Sequence, residues 1–233
     1  MLRLILVLLA LFMSYSFYAQ QSLNFNMLLT YECKFVNQDS TLRTETRYKL
    51  TNSKDNSYFI DIKNLDSLNY HLTLKYFDHI LTEFKVDKEN FKTVNRLNIE
   101  CDLIFNYKHN FKNVAKDYSI VNKEDTLINN IKYKQYQSKY LRGKKSRLKK
   151  KAGQITYIIE NNTEYHLPII SHPTLNLVWK LKKNVPNGIF KEFIFKDYLG
   201  KIINHYTLLK IEKINLIVNT EKPCHPKNYN NSY

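Results

Sequence analysis

Residues 155–195 constrain the fold more than any other part of this chain, because signals for strand, turn and helix alternate within them. Residues 154–160 are rich in β-branched and aromatic side chains, which favour a strand. The asparagines within residues 160–163 indicate a turn, since Asn tolerates a positive φ. Residues 165–170 are expected to return as an edge strand, because Pro168 cannot donate a hydrogen bond to a neighbouring strand.

A short helix is expected after this edge strand. Pro173 suits the first helical turn, with the N-cap at residue 171 or 172. Apolar side chains at positions i, i+3 and i+4 place one face of the helix in a core: Leu175, Val178 and Trp179. Residues 184–188 end the helix, and two hairpin strands follow over residues 189–196 and 202–214. Strands around one short helix indicate a β-rich domain.

The rest of the chain repeats the strand pattern. Alternating apolar residues over 25–36 predict a half-buried opening strand. Further strands are predicted over residues 41–50, 57–62, 68–77, 80–86, 91–103, 118–121 and 128–140, with a loop at 87–90 and turns at 78–79 and 122–126. Residues 103–115 also fit helical spacing, which leaves a short helix open there. We therefore predict a mainly β (α+β) fold, with a curved antiparallel sheet or incomplete barrel and one or two short helices.

The N-terminal residues have the pattern of a secretory signal peptide. One arginine precedes an apolar run over residues 4–13, and the small residue Ala19 suits cleavage. An uncleaved anchor is the alternative, but the run is short for spanning a bilayer. We predict a signal peptide over residues 1–19, a single β-rich domain over 20–219 and a polar, disordered tail over 220–233. The mature protein is expected in the periplasm or outside the cell.

The formal net charge of +15 indicates a partner that carries negative charge. Export makes nucleic acid a poor partner, so we predict lipid or acidic envelope polysaccharide; the sequence leaves the oligomeric state open. The densest basic run supplies the candidate contacts to an anionic surface: Arg142, Lys144, Lys145, Arg147, Lys149, Lys150 and Lys151. The same run also fits a solvated hairpin loop, because like charges repel.

The cysteines and histidines do not predict a reactive site. Cys33 and Cys101 fall on predicted strands, as buried thiols or a cross-strand bridge, while Cys224 in the tail pairs with either or stays free. His166 and His172 have glutamates nearby, but the spacing matches no metal or acid–base motif, which favours turn and cap roles. Gly is too scarce for a phosphate-binding loop, and no Gly-x-Ser-x-Gly elbow occurs. We predict no catalytic residue, metal or cofactor.

Two segments carry a family resemblance. The opening strand contains Leu-Thr-Tyr-Glu-Cys-Lys-Phe over residues 29–35, and residues 131–134 read Ile-Lys-Tyr-Lys. In these segments the chain resembles the GLPGLI family and other uncharacterised secreted proteins of Gram-negative bacteria. The Gly-Leu-Pro-Gly-Leu-Ile signature is absent, and residues 167–170 are the segment most similar to it. The resemblance implies the periplasmic lipoprotein-carrier fold, a curved, incomplete barrel packed on short helices, and no catalytic residue.

Strands that are apolar on both faces, such as residues 202–211, can line a lipid-binding cavity. We therefore predict a non-enzymatic envelope protein that binds an amphiphile or an envelope component in the groove of its sheet. A structural or interaction module of the envelope and a hydrolase with dispersed active-site residues are the alternatives.

Overall fold

The computed structural model describes residues 21–37, 39–76, 80–100, 104–106, 111–182, 184–220 and 227–228. Its strands are β1 (Gln21–Val36), β2 (Leu42–Asn52), β3 (Asp55–Asn64), β4 (Asn69–Tyr76), β5 (Ile80–Asp87), β6 (Arg96–Ile99), β7 (Ile104–Asn106), β8 (Tyr118–Ile128), β9 (Ile131–Tyr140), β10 (Gln154–Ile159), β11 (Phe190–Lys196), β12 (Ile202–Thr220) and β13 (Lys227–Asn228). Its helices are α1 (Lys88–Thr93), α2 (Phe111–Ala115), α3 (Gly143–Lys149) and α4 (Pro173–Lys182).

The described strands join in one sheet whose centre is the pair β1 and β12. The order is β13-β7-β5-β4-β3-β2-β1-β12-β11-β10-β9-β8, and β6 adds to the last residues of β12 in parallel. The pairing of β1 with β12 is antiparallel and interrupted by two bulges, which increase local twist and curvature. The predicted fold class, a curved, mainly antiparallel sheet with short helices, is confirmed.

The first of two cores lies between α4 and the half of the sheet that runs from β1 to β9. Tyr31 stacks on Phe190 with ring centroids 4.5 Å apart, and Tyr136 stacks on Tyr157 at 4.9 Å. Trp179 of α4 is buried against this cluster together with other apolar helix residues. The helical spacing read from the sequence is therefore confirmed.

The second core lies on the opposite face of the sheet. Successive side chains of a strand point to opposite faces, so Leu28 points away from the first core that Leu29 enters. Leu50, directly opposite Leu28, is fully buried in the second core with side chains of β3 and β4. The sheet thus buries one face beside α4 and the other face across β2, β3 and β4.

Three sequence predictions differ from the structure. The turn expected at residues 122–126 is a bulge within β8, and the chain turns instead at Asn129 and Asn130, both with positive φ (50° and 64°). Residues 91–93 belong to α1, and the strand expected there begins only at Arg96. Residues 165–170 form an irregular segment rather than an edge strand, held by Leu167 N donating to Ser53 O at 2.9 Å.

Several sequence predictions fall outside the described residues. These are the signal peptide with its cleavage point at Ala19, the turn at 78–79, Cys101 and Cys224. Cys33 is a buried free thiol beside Tyr31, which agrees with the first of the two alternatives predicted for it, a buried thiol rather than a cross-strand bridge. Within the part of the chain that the structure describes, no helix has the length and apolarity needed to cross a bilayer.

Candidate ligand groove and basic helix

A groove of 420 Å³ opens on the second-core face, between α1 and the strands β1, β2, β4 and β12. Its wall is mainly aliphatic and aromatic: Leu28, Tyr48, Leu50, Tyr70, Phe91, Val94, Ile214 and Leu216. The polar residues Lys92, Glu212 and Asn215 also line it. The volume lies within the range of about 300–1,000 Å³ that is usual for small-molecule sites.

Three aromatic rings form one side of the groove. Tyr48 meets Tyr70 edge-on with ring centroids 5.6 Å apart, and Tyr70 meets Phe91 edge-on at 5.5 Å. Burial, together with the neighbouring Tyr48, raises the pKa of the Tyr70 phenol to about 12. The phenol therefore stays neutral at physiological pH, and this wall offers apolar ring faces without a negative charge.

The groove depends on α1, a segment expected from the sequence to be a loop and a strand. Asp87 caps the helix, because its carboxylate accepts the backbone N–H groups of Glu89 at 3.0 Å and Asn90 at 2.9 Å. The other end closes where Val94 N donates to Asn90 O at 3.0 Å. This places Phe91 and Val94 over the sheet, although no residue of α1 is itself buried.

The polar residues of the groove hold local ion pairs. Lys92 Nζ lies 2.8 Å from Glu89 Oε1, and Lys210 Nζ lies 2.9 Å from Glu212 Oε1. These pairs are exposed, so each charge keeps access to solvent and to a ligand. A groove with an apolar wall and exposed ion pairs at its edge suits a ligand that has an apolar body and a polar end.

The predicted basic run forms α3 and the turn after it, which connect the antiparallel strands β9 and β10; no residue of α3 is buried. Arg142 forms an ion pair with Asp117, in which Nε donates to Oδ1 at 2.6 Å. Arg147 donates through Nη2 to the carbonyl oxygen of Tyr198 at 2.7 Å. The remaining candidates are exposed on α3 and the turn that follows: Lys144, Lys145, Lys149, Lys150 and Lys151.

A cavity of 720 Å³ lies between α3 and the ends of β8, β9 and β10. It is lined by the cations Lys123, Lys139, Lys144 and Arg147 and by no carboxylate. Arg147 Nε is buried there without a hydrogen-bond partner. The structure thus gathers Lys144 and Arg147 of the predicted set with two lysines of β8 and β9 that sequence reasoning did not associate with them.

The histidine and glutamate cluster has structural roles. His166 is fully buried, and its Nε2 lies 2.9 Å from Thr51 Oγ1, which ties residues 163–170 to β2. Glu160 pairs with Lys191 at 2.9 Å, and His172 is exposed beside the start of α4. Among the described residues, no three or more His, Cys, Asp or Glu side chains are placed to hold a metal ion.

A partly buried charge cluster, which the sequence analysis does not predict, lies on the face opposite the groove. Asp61 binds Lys49 through Oδ1 and Lys75 through Oδ2, the latter at 3.1 Å, and Lys49 Nζ also lies 4.1 Å above the Phe59 ring. The signal was present as charged residues at alternate positions of neighbouring strands: Arg43, Glu45, Arg47 and Lys49 on β2, and Asp61 and Lys63 on β3.

The comparisons with known proteins give no family. No family model matches the chain, and no curated protein matches its sequence. The fold is similar to that of an uncharacterised conserved protein from Thermus thermophilus, with a TM-score of 0.41, 8% identity, and coverage of 82% of this chain and 80% of that chain.

Two further solved structures are similar. MucB in the MucA/MucB complex of Pseudomonas aeruginosa has a TM-score of 0.39 and 5% identity, with 82% of this chain and 52% of that chain covered, so the chain spans about half the length of MucB. A LolA superfamily protein from Nitrosomonas europaea has a TM-score of 0.33 and 11% identity, with 82% and 87% covered. At these identities the likeness concerns the fold.

Proposed function

We propose that this protein is a non-enzymatic envelope protein that binds an anionic amphiphile, with the acyl part in the groove beneath α1. One observation carries the proposal: a groove of 420 Å³ with a mainly aliphatic and aromatic wall, which the charged residues Lys92 and Glu212 also line. Channels of this composition bind by excluding water from apolar surface, at about 0.8 kcal/mol for each methylene buried. The proposal assigns no catalytic residue.

The choice of an anionic head group rests on charge. The chain carries a formal net charge of +15, which draws anions toward its surface. Near the groove, Lys92 is exposed and Lys88 Nζ lies 5.2 Å from the centre of the Tyr70 ring. A carboxylate or phosphate end leaving the channel near α1 therefore meets cations within reach.

A groove-filling substitution tests the proposal. The full chain is expressed with its own N-terminal segment and recovered from the periplasmic fraction, where N-terminal sequencing is expected to start at Gln20. Ile214→Trp places a large ring in the groove and excludes at least about two methylenes of a bound chain, so the affinity for cis-parinaric acid should fall about tenfold. The fluorescence of the polyene on titration reports binding.

Leu209→Trp is the matched control, because Leu209 lies on the same strand and is 60% exposed outside the groove. We expect this variant to bind cis-parinaric acid like the parent protein. Failure of the parent protein to bind the probe, or equal affinity in the two Trp variants, would rule out the groove as the acyl site.

We also propose an envelope location and a relationship to the GLPGLI family as part of this function. The support for export is the apolar run over residues 4–13 followed by Ala19, and the support for the relationship is the pair of segments at residues 29–35 and 131–134. An N-terminus that starts at Met1 in the recovered protein would contradict cleavage.

A further inference from the structure

One end of the sheet brings α3 together with two turns. Helix α3 joins β9 to β10, residues 197–201 join β11 to β12, and the turn before β2 includes residues 39–41. Arg147 of α3 donates to Tyr198 O at 2.7 Å, and Lys201 Nζ donates to Ser40 Oγ at 3.0 Å. These contacts make α3, residues 150–151, the two turns, Leu42 and Ile202 one continuous surface, called the basic end below.

The basic end exposes four large aliphatic side chains. Leu199 is 70% exposed and Leu42 is 63% exposed, at or beside the tips of their turns. Ile202 and Leu148 are 43% and 40% exposed. Isolated exposed apolar residues are ordinary on a protein surface, but these four project from adjoining segments of the same end.

The same surface carries exposed cations. Lys144, Lys145, Lys149, Lys150 and Lys151 form no ion pair within the described part of the chain. The two acidic groups of the turns are engaged with their own backbone. Asp39 accepts from Thr41 N at 2.9 Å, and Asp197 accepts from Leu199 N at 2.9 Å. Neither carboxylate forms an ion pair with α3, where Asp117 pairs with Arg142, and the lysines of the basic end outnumber these two negative charges.

The cavity beneath α3 adds a place for an anion. Its four cations face no lining carboxylate, and the buried Nε of Arg147 has no partner, whereas buried donors in proteins are normally hydrogen-bonded. Tyr198 O holds the guanidinium through Nη2, so Nε stays in position. A phosphate oxygen in this cavity would supply the acceptor and offset the repulsion among the lysines.

We propose that the basic end docks on an anionic bilayer surface, with Leu42 and Leu199 entering the interfacial layer and the cations of α3 binding lipid phosphates. Apolar side chains amid lysines are the combination that favours a membrane interface, because burial of the aliphatic groups adds to attraction toward anionic lipid. A purely hydrophilic anion, such as an acidic polysaccharide, would use the cations and leave the leucines in water. The site is separate from the groove and does not depend on it.

Vesicle flotation tests the proposal with two charge-matched variants of the full exported protein. The vesicles contain phosphatidylglycerol and phosphatidylcholine, or phosphatidylcholine alone. Each cation near an anionic surface contributes about fivefold to binding, so K149E/K150E should lower partitioning to the anionic vesicles at least about 25-fold. K134E/K182E makes the same change in net charge away from the basic end and should lower it less than about threefold.

Substitutions of exposed leucines test the apolar part of the proposed membrane contact. Leu199→Ser should weaken partitioning to anionic vesicles about tenfold, while Leu209→Ser, at an exposed strand position, should not. Leu199→Trp should show a blue-shifted emission on addition of anionic vesicles, against the constant background of the single natural tryptophan, Trp179, which is buried.

Three results would overturn this inference. They are no partitioning of the parent protein to anionic vesicles, equal losses in the two charge variants, and binding of a sulfated tetrasaccharide without binding of vesicles. The groove is tested separately, because Ile214→Trp should leave vesicle partitioning unchanged and K149E/K150E should leave cis-parinaric acid binding unchanged.

Discussion

Replacing Asp61 by Asn should destabilise the protein through the lysine that it leaves buried. Lys49 is only 5% exposed, and its ammonium is held by the Asp61 carboxylate. Breaking a fully buried ion pair costs about 3–5 kcal/mol, because the remaining charge is uncompensated. The Asp61 side chain is 33% exposed and Lys75 is 40% exposed, so solvent screens part of this cost. We expect a loss of about 2–3 kcal/mol.

Urea denaturation measures this loss, with the fluorescence of Trp179 as the signal. A change of about 2–3 kcal/mol should move the midpoint by about 1 M. Lys49→Met should cost about 1 kcal/mol or less, because Asp61 keeps Lys75 and a buried charge is removed. In the double variant the loss should be smaller than the sum by at least about 1 kcal/mol.

The pH dependence gives the result that would refute the reasoning. Burial raises the pKa of the Asp61 carboxyl, but Lys49 and Lys75 outweigh it, and the pKa lies below the ordinary value of 3.8. The stabilisation is therefore present above pH 3.8 and is lost as the pH falls through the folded pKa. The ion pair would not be the cause if the stability losses of Asp61→Asn and Lys49→Met were additive in the double variant. The same holds if the difference in stability between the parent and Asp61→Asn grew in acid.

Two further predictions concern single side chains. Burial lowers the pKa of His166 below 6.5, so the unfolded chain binds a proton at higher pH than the folded protein. The free energy of unfolding should therefore fall as the pH drops from 6.5 toward the folded pKa. His166→Gln should reduce that slope by up to about 1.4 kcal/mol per pH unit, measured by urea denaturation between pH 7.5 and 5. Gly153→Ala should lower Tm by several degrees, because the added Cβ would lie 2.5 Å from the Phe195 ring and 2.6 Å from Lys196 O; an unchanged Tm would show that the β10–β11 pair adjusts freely.

Much of the sheet could be predicted from the sequence, because period-two alternation and turn residues are local signals. The opening strand, the hairpin at residues 197–200 and α4 with its apolar stripe all follow from such signals. The turn between β8 and β9 consists of Asn129 and Asn130, but the charged residues before them led to a predicted turn at residues 122–126. A bulge accommodates those charges within the strand.

The sites were harder to predict, because they depend on contacts between distant segments. The groove needs α1, which the cap of Asp87 specifies locally, but its floor comes from β1, β2 and β12. The basic run was recognised from composition, whereas its cavity partners Lys123 and Lys139 lie on other strands. Residues 165–170 fail as a strand because the segment is anchored to the β2–β3 turn through Leu167 and Ser53.

The two strands at the centre of the sheet, β1 and β12, are far apart in the sequence. Ser22 of β1 donates to Asn219 of β12, 197 positions away, and both cores include residues of each strand or pack against them. On the side that faces β12, strand β1 therefore has no partner until residues 202–220 have been synthesised. Contacts of such long sequence separation make folding slow. Until that late pairing forms, β1 presents an unpaired edge on one side, which a strand of another chain can occupy.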